Sequence, residues 1–419
     1  MIQYANIWYD KCHKKQNNII YFIILFIAMS CGGFSYIYWP HWGNILFSIT
    51  CLIITITCMT KFNFWKYGNF SSYIFLLMCI PYLSIINNYS IFGQSIDTSI
   101  IVLFGNTTLW MLYFILHIYQ VRESTILNAF LYIGLFIVAI QLIQQFTYPI
   151  ALFGVHTETQ MNQMGLSEAV EMRNGIYRFR ITNNSSILLI FALISLIKIK
   201  FEIKKIIILA LLLVSVYLTL TRQIIFSTYI LVVLYFLTNN KRSRKFITGV
   251  IGLLIVIFVY FNFESLFDRL LTTTKEEANV ENIRVSSALF FFKESFKSIS
   301  TFLFGYGIPG SGSEFQKYVE MLGFQFGYFN GDVGCIGMLW QYGIFYVLVC
   351  YSLFYRLIFK FKHIIPSYLR LYFIYAIILS LTIFPIGISK LSSIIIALTL
   401  YICDLHIAKS PLRINFNQN

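Results

Sequence analysis

Residues 126–148 read ILNAFLYIGLFIVAIQLIQQFTY, twenty-three positions without one charged side chain. At about 1.5 Å of rise per residue such a run makes a helix of about 35 Å, enough to cross a hydrocarbon core of about 30 Å. Comparable apolar runs recur near 19–39, 43–60, 70–88, 98–119, 184–199, 205–221, 222–239, 246–263, 333–355, 370–387 and 390–407. Composition agrees with them. The 419 residues are 58% hydrophobic and 11% charged, with a mean hydropathy of +0.73, too little polar surface to coat a water-soluble globule. The expected fold is all-α, a polytopic integral membrane protein of about 12 transmembrane helices with two long outer loops.

Lysine and arginine set the expected orientation, because basic residues in short loops stay on the cytoplasmic side. With both termini inside, 20 of the 31 basic residues fall in inner segments and 13 of the 17 acidic residues fall outside. The formal net charge of +14 is thereby a matter of topology, and no nucleic-acid partner is needed to explain it. Lys11, Lys14 and Lys15 before the first run resemble the charged start of a signal peptide, but Ala28-Met29-Ser30-Cys31 is a poor cleavage site, so that run is read as an uncleaved span. The eight cysteines lie in or beside spans, with no CxxC pattern and no pair in the outer loops. The histidines are too scattered for a metal site, and neither a metal nor a cofactor is expected.

The chain divides into helices 1–5 (1–148), a first long outer loop (149–183), helices 6–9 (184–261), a large outer loop (262–332) and helices 10–12 with a tail (333–419). The large loop breaks the apolar rule for about seventy residues and carries Arg284, Glu314, Glu320, Asp332 and the cluster Gly305, Gly307, Gly310 and Gly312. Within it Val285–Phe296 is expected to form a helix with the apolar face Leu289, Phe290, Phe292 and Phe296. Phe302–Gly310 reads as an apolar, glycine-rich turn, and Thr272–Glu281 as a solvated stretch.

Three arginine elements fall on the outer side. Arg222, in LTLTRQ (Leu218–Gln223), sits just below the membrane boundary, where an arginine is costly unless it snorkels, is paired or lines a polar cavity. Arg173, Arg178 and Arg180 crowd into MRNGIYRFRITNNSS before the sixth span, and Arg284 opens the helix of the large loop. The guanidinium fork suits phosphate oxygens. Each element alone also fits an interfacial charge belt or a solvated helix face. Together, on the net acidic side of the protein, they suggest a site for an anionic ligand.

The order of RFRITNNSSILLIFALI (178–194), LTLTRQIIFSTYILVVLYFL (218–237), IRVSSALFFFKESFKSISTFLFGYGIPGSG (283–312) and FNGDVGCIGMLWQYGIFYVLV (329–349) resembles the bacterial O-antigen polymerase and ligase family. The likeness runs from about Arg173 to Tyr355, with the first five spans matching only in hydropathy. It implies a glycosyltransferase of the inner membrane whose donor is an oligosaccharide on undecaprenyl pyrophosphate, with membrane lipid around it and a chain-length regulator as protein partner. Arg222 matches the arginine of the family's serine/threonine-arginine turn. Arg284 matches the arginine preceding its glycine-rich segment, here Phe304-Gly305-Tyr306-Gly307. Where ligases carry a histidine this chain reads Asn330-Gly331-Asp332-Val333-Gly334, a departure that favours a polymerase and leaves the base open.

The chemistry stands without the likeness. Glycosyl transfer from a pyrophosphate donor develops negative charge on the leaving group, and preorganised arginines stabilise it in a dry site. A carboxylate could accept the acceptor hydroxyl's proton. Asp332 is the expected base, with Glu314 and Glu320 as substitutes and His156 as a weaker acid–base or ligand group; the competing reading of Asp332 is a helix N-terminal carboxylate. A ligase and a flippase or secondary transporter are the alternatives. A transporter would concentrate polar groups near the midplane. Polyprenyl-phosphate-sugar transferases usually carry an acidic pair in the first outer loop, where this chain has His41 and no carboxylate in Tyr38–Asn44.

Overall fold

The computed structural model describes residues 49, 52–59, 68–147, 171–173, 176–178, 184–197, 202–238, 283–383 and 390–409. The expected runs at 19–39 and 246–263, and the stretch Thr272–Glu281, lie outside the described residues. Within them the order is α1 (Ser71–Phe92), α2 (Ile96–Thr107), a 3-10 turn (Thr108–Met111), α3 (Leu112–Tyr119), α4 (Glu123–Thr147), β1 (Glu171–Arg173) and β2 (Ile176–Arg178). Next come α5 (Asn184–Ile197), α6 (Ile203–Leu218), α7 (Arg222–Thr238), α8 (Ile283–Ser295), α9 (Ile299–Phe304) and α10 (Glu314–Phe326). A short turn (Asn330–Asp332) leads into α11 (Gly334–Tyr355), which runs on through a π turn (Arg356–Lys360), and α12 (Ser367–Leu379) and α13 (Lys390–Lys409) follow.

Among the described residues five helical stretches are long and apolar enough to cross a membrane: Ser71–Phe92, Ile96–Tyr119, Glu123–Thr147, Gly334–Lys360 and Ser392–Lys409. Ser186–Ile197, Gln223–Phe236 and Ser367–Leu379 are apolar but shorter. The chain is thus an all-α membrane protein with one correction. Glu171–Arg173 and Ile176–Arg178 pair antiparallel, with Met172 opposite Tyr177. The sequence between these strands is Asn174-Gly175, the dipeptide that best fits a two-residue hairpin turn, so a signal for the hairpin was present.

Helix α13 organises the bundle through its middle turns, where Thr399 is the one polar side chain among apolar ones. Ile394–Cys403 is buried throughout, and the helix packs on α3, α4 and α5. An apolar stretch is stable against lipid and protein alike in a membrane, so it is the packing on neighbouring helices that sets this one in the middle of the bundle. Around it, α4, α5, α6 and α12 pack on one another, and α7 covers α12. A second group forms where α11 lies against α1, α8 and α9.

The helix ends sort into two poles. At one, Asp404 of α13 accepts from the Asn69 backbone N–H (3.0 Å), from Asn69 Nδ2 (2.7 Å) and from Tyr113, with His117 Nε2 at 3.1 Å. Beside it, Glu123 accepts from the Tyr368 hydroxyl (2.7 Å) and lies 3.0 Å from His406 Nε2. A buried carboxylate is tolerable only when its lone pairs are met this completely. These groups tie the start of α1, the end of α3, the starts of α4 and α12 and the end of α13 together. The same pole carries Lys204, Lys205, Arg356, Lys360, Lys362 and Lys409. The opposite pole collects the end of α1, the ends of α4, α6 and α12, the starts of α7 and α11, and all of α8 to α10.

The face of the loop helix also differs from expectation. Ser287, Phe291 and Ser295, spaced i, i+4, i+8, form the buried stripe of α8, whereas Leu289, Phe292 and Phe296 are 54%, 45% and 52% exposed. Phe291 meets Trp340 edge-on at 5.0 Å. The two serines leave room for α8 to lie close against α11. Phe290, the fourth expected residue, is half-buried beside Tyr328 at 5.4 Å.

Candidate functional site

A break in α11 builds the site pole. Gly343 has φ 78° and ψ 174° inside an otherwise helical run, a combination open essentially to glycine alone. The break leaves the carbonyls of Trp340 and Gln341 without their usual helical donors, and the loop after α9 supplies replacements. The backbone N–H of Tyr306 donates to the Trp340 carbonyl (2.9 Å), and that of Gly307 to the Gln341 carbonyl (2.7 Å). Tyr306 stacks on Trp340 at 5.2 Å, and Phe315 joins the pair at 5.8 Å from Trp340.

The other side of this loop is met by a polar ladder on α1 and the turn that follows it. Asn87 Nδ2 donates to the carbonyls of Ser300 (3.0 Å) and Gly305 (2.8 Å), while its Oδ1 accepts from the Ser300 hydroxyl. Asn88 Nδ2 reaches the Ile308 carbonyl at 3.4 Å. Gln94 donates to the same carbonyl (3.2 Å) and accepts from the Gly310 N–H (2.8 Å). Each buried backbone group met in this way avoids a desolvation cost of about 1–3 kcal/mol. Sequence reading missed these residues. Their signal was the spacing of Ser84, Asn87 and Asn88, which puts three polar side chains on one face of an apolar span, and such residues in a membrane helix generally face protein.

The expected site elements with described backbone gather at this same pole. The β-hairpin carrying Arg173 and Arg178 is held to α4, where Gln145 Nε2 donates to the Tyr177 carbonyl (2.5 Å) and Gln145 Oε1 accepts from the Tyr177 N–H (3.0 Å). Strand β2 also touches α6, whose end leads through Leu220, at a positive φ of 47°, into Arg222. Next to Arg222, Gln223 accepts from the Thr382 hydroxyl (2.5 Å). The turn holding Thr382 meets the start of α11, since the Cys335 N–H donates to the Ser380 carbonyl (2.8 Å). Asp332 is three residues before that contact, and the turn Asn330–Asp332 packs on α8, the helix of Arg284. The side chains of Arg173, Arg178 and Arg222 lie outside the described residues, as do His156 and Arg180 altogether.

Asp332 and Arg284 are both exposed. The residue capping α11 is Val333, without a side-chain cap hydrogen bond, so Asp332 is not the cap of that helix. Its carboxylate is exposed one residue before that cap. The two substitute carboxylates are differently placed. Glu314 is 71% exposed and accepts from Lys317 Nζ (2.6 Å), a bond that raises the lysine's pKa, and Glu320 accepts from Gln316 Nε2 (2.7 Å). Both serve the surface of their own helix. Chemically, the pole brings together arginine-bearing elements suited to a polyanion and, near the Phe291–Tyr306–Phe315–Trp340 aromatic cluster, the exposed carboxylate of Asp332.

No protein-family model matches this chain, and no curated protein matches it. Fold and site together define a polytopic all-α membrane protein in which the described arginine-bearing elements and Asp332 share one pole, opposite the Asp404 and Glu123 networks.

Proposed function

We propose that this protein is a metal-independent membrane glycosyltransferase of the O-antigen polymerase kind, acting on undecaprenyl-pyrophosphate-linked glycans at the outer face of a bacterial inner membrane. The convergence of the Arg222, Arg284 and Asp332 elements, scattered over 110 positions of sequence, carries this reading. In the reaction a hydroxyl of the incoming lipid-linked unit attacks the anomeric carbon of the donor glycan. The bond from that carbon to the pyrophosphate oxygen breaks, and undecaprenyl pyrophosphate leaves with the bonding electrons. Arg222 and Arg284, with Arg173, Arg178 or Arg180, balance the charge on the leaving group, and Asp332 takes the hydroxyl proton.

The proposed topology is twelve spans with both termini cytoplasmic, supported by the basic residues at the pole opposite the site. Reporter fusions after Met161 and Lys275 are expected to be active on the periplasmic side, and fusions after Lys200 and Arg242 on the cytoplasmic side. Reversal at any two of these points sets the site on the wrong face and ends the proposal.

The lipopolysaccharide of a deletion strain tests the activity itself. Loss of long chains with single units still attached is the expected result. Complete loss of attachment would mean a ligase instead, and accumulation of lipid-linked units on the cytoplasmic face a flippase. For the base, Asp332→Asn is expected to slow chain extension by on the order of a hundredfold with protein level unchanged. A normal glycan ladder from that variant would remove Asp332 from the chemistry.

A further inference from the structure

The segment Ile283–Gly310 stands in the sequence as part of a water-borne loop, yet its tip packs below the ends of two membrane-length helices. Two independent rulers give the depth. Asn87, which holds Ser300 and Gly305, is five residues inside the end of α1, or about 7 Å along the axis, and Trp340, which receives Tyr306, is six residues inside the start of α11, or about 9 Å. The helical run Gly334–Lys360 is about 40 Å long and so exceeds a hydrocarbon core of about 30 Å by about 5 Å at each end. Both rulers therefore set the tip a few ångströms inside the hydrocarbon boundary.

Irregular backbone is admissible at such a depth only when protein meets its hydrogen bonds. The Asn87, Asn88 and Gln94 side chains and the Trp340 and Gln341 carbonyls do this on the inward side. On the outward side the segment shows an apolar flank: Phe292 and Phe296 pack at 4.7 Å, Phe296 and Phe302 at 4.7 Å, and Ile299 is 81% exposed. That flank is continuous with the exposed apolar side of α11 itself, because Phe304 meets Phe345 at 6.0 Å and Leu348 follows one turn on. Lys293 and Lys297 are exposed beside the phenylalanines, and both have stems long enough to carry an ammonium up to a phosphate layer. Aromatic and aliphatic groups with lysines at their edge are the makeup of an element lying in the membrane interface.

We infer that α8 and α9 form a membrane-seated hairpin, with Phe292, Phe296 and Ile299 against the acyl chains of bilayer lipid and Lys293 and Lys297 at the phosphate level. The floor of the site pole is then fixed just beneath the lipid headgroups. A substrate carried on a lipid would arrive there without leaving the bilayer.

The test is photo-crosslinking in native membranes with p-benzoylphenylalanine introduced singly at Phe296, Ile299 and, for comparison, Glu314. The first two side chains are exposed, so the larger group fits without repacking the core, and gel filtration of the purified protein checks this for each variant. Intact mass is expected to show a phospholipid adduct at Phe296 and Ile299 at least about tenfold above that at Glu314, as for an apolar flank buried in the acyl boundary. Absence of lipid adducts at both positions would overturn the inference. So would a species of twice the chain mass at either one, because the flank would then be covered by a second copy.

Discussion

Arg222→Ala and Arg284→Ala should each slow glycan chain extension by on the order of a hundredfold, equivalent to about 3 kcal/mol of lost transition-state stabilisation. The expectation follows from the charge that builds on a leaving pyrophosphate and from the meeting of two distant elements, the start of α7 and the helix α8, around the turn before α11. Lysine at either position is expected to restore little, since an ammonium lacks the bidentate fork that grips two phosphate oxygens. Chain-length distribution and extension rate in membranes, normalised to protein level, are the measurements. Full activity of both alanine variants at normal expression would exclude a pyrophosphate site built on these residues.

Gly343→Ala is the change expected to harm the fold most. A methyl group there would collide with the Leu303 backbone, and the residue's φ of 78° with ψ 174° strains any side chain. Relief by straightening α11 would return the Trp340 and Gln341 carbonyls to helical donors and strand the N–H groups of Tyr306 and Gly307. Strain and two unmet buried donors together come to about 3 kcal/mol or more. Thermal unfolding of the detergent-solubilised protein should show a midpoint lower by several degrees and early aggregation. Gly93→Asn is the comparison, because Gly93 caps α1 in the left-handed region with open space around it, a conformation asparagine tolerates. Equal midpoints for the two variants would mean that the loop does not depend on the break.

Both predictions rest on features of unequal visibility in the sequence. Arg222 stood out because a cation at the edge of an apolar run is costly whatever its neighbours, whereas Arg284, which alone fits a solvated helix face, drew notice only beside the other outer arginines and the family resemblance. Gly343 did not stand out, since a glycine in an apolar span is ordinary. The buried face of α8 was misread for a related reason. Phenylalanines at 290, 291, 292 and 296 are compatible with more than one helical stripe. The choice fell to Phe291 because Trp340 awaited it across the packing interface and the serines at 287 and 295 let the helices close. The hairpin at 171–178 was legible in its Asn-Gly turn, but it was overshadowed by the helical bias of the whole chain.

The sequence by itself determined that this is an all-α membrane protein and which of its short connections are basic. Transfer of about twenty apolar residues into hydrocarbon is a sum of local contributions, readable without knowing any neighbour. Only the tertiary structure decided which polar groups face one another, where α11 breaks, and which arginine-bearing elements share a pole. Asn87 and the Gly305 carbonyl it satisfies are 218 positions apart, as Thr382 and Gln223 are 159 apart. A hydrogen bond depends on the position of its partner, and no local pattern carries that information across such a distance.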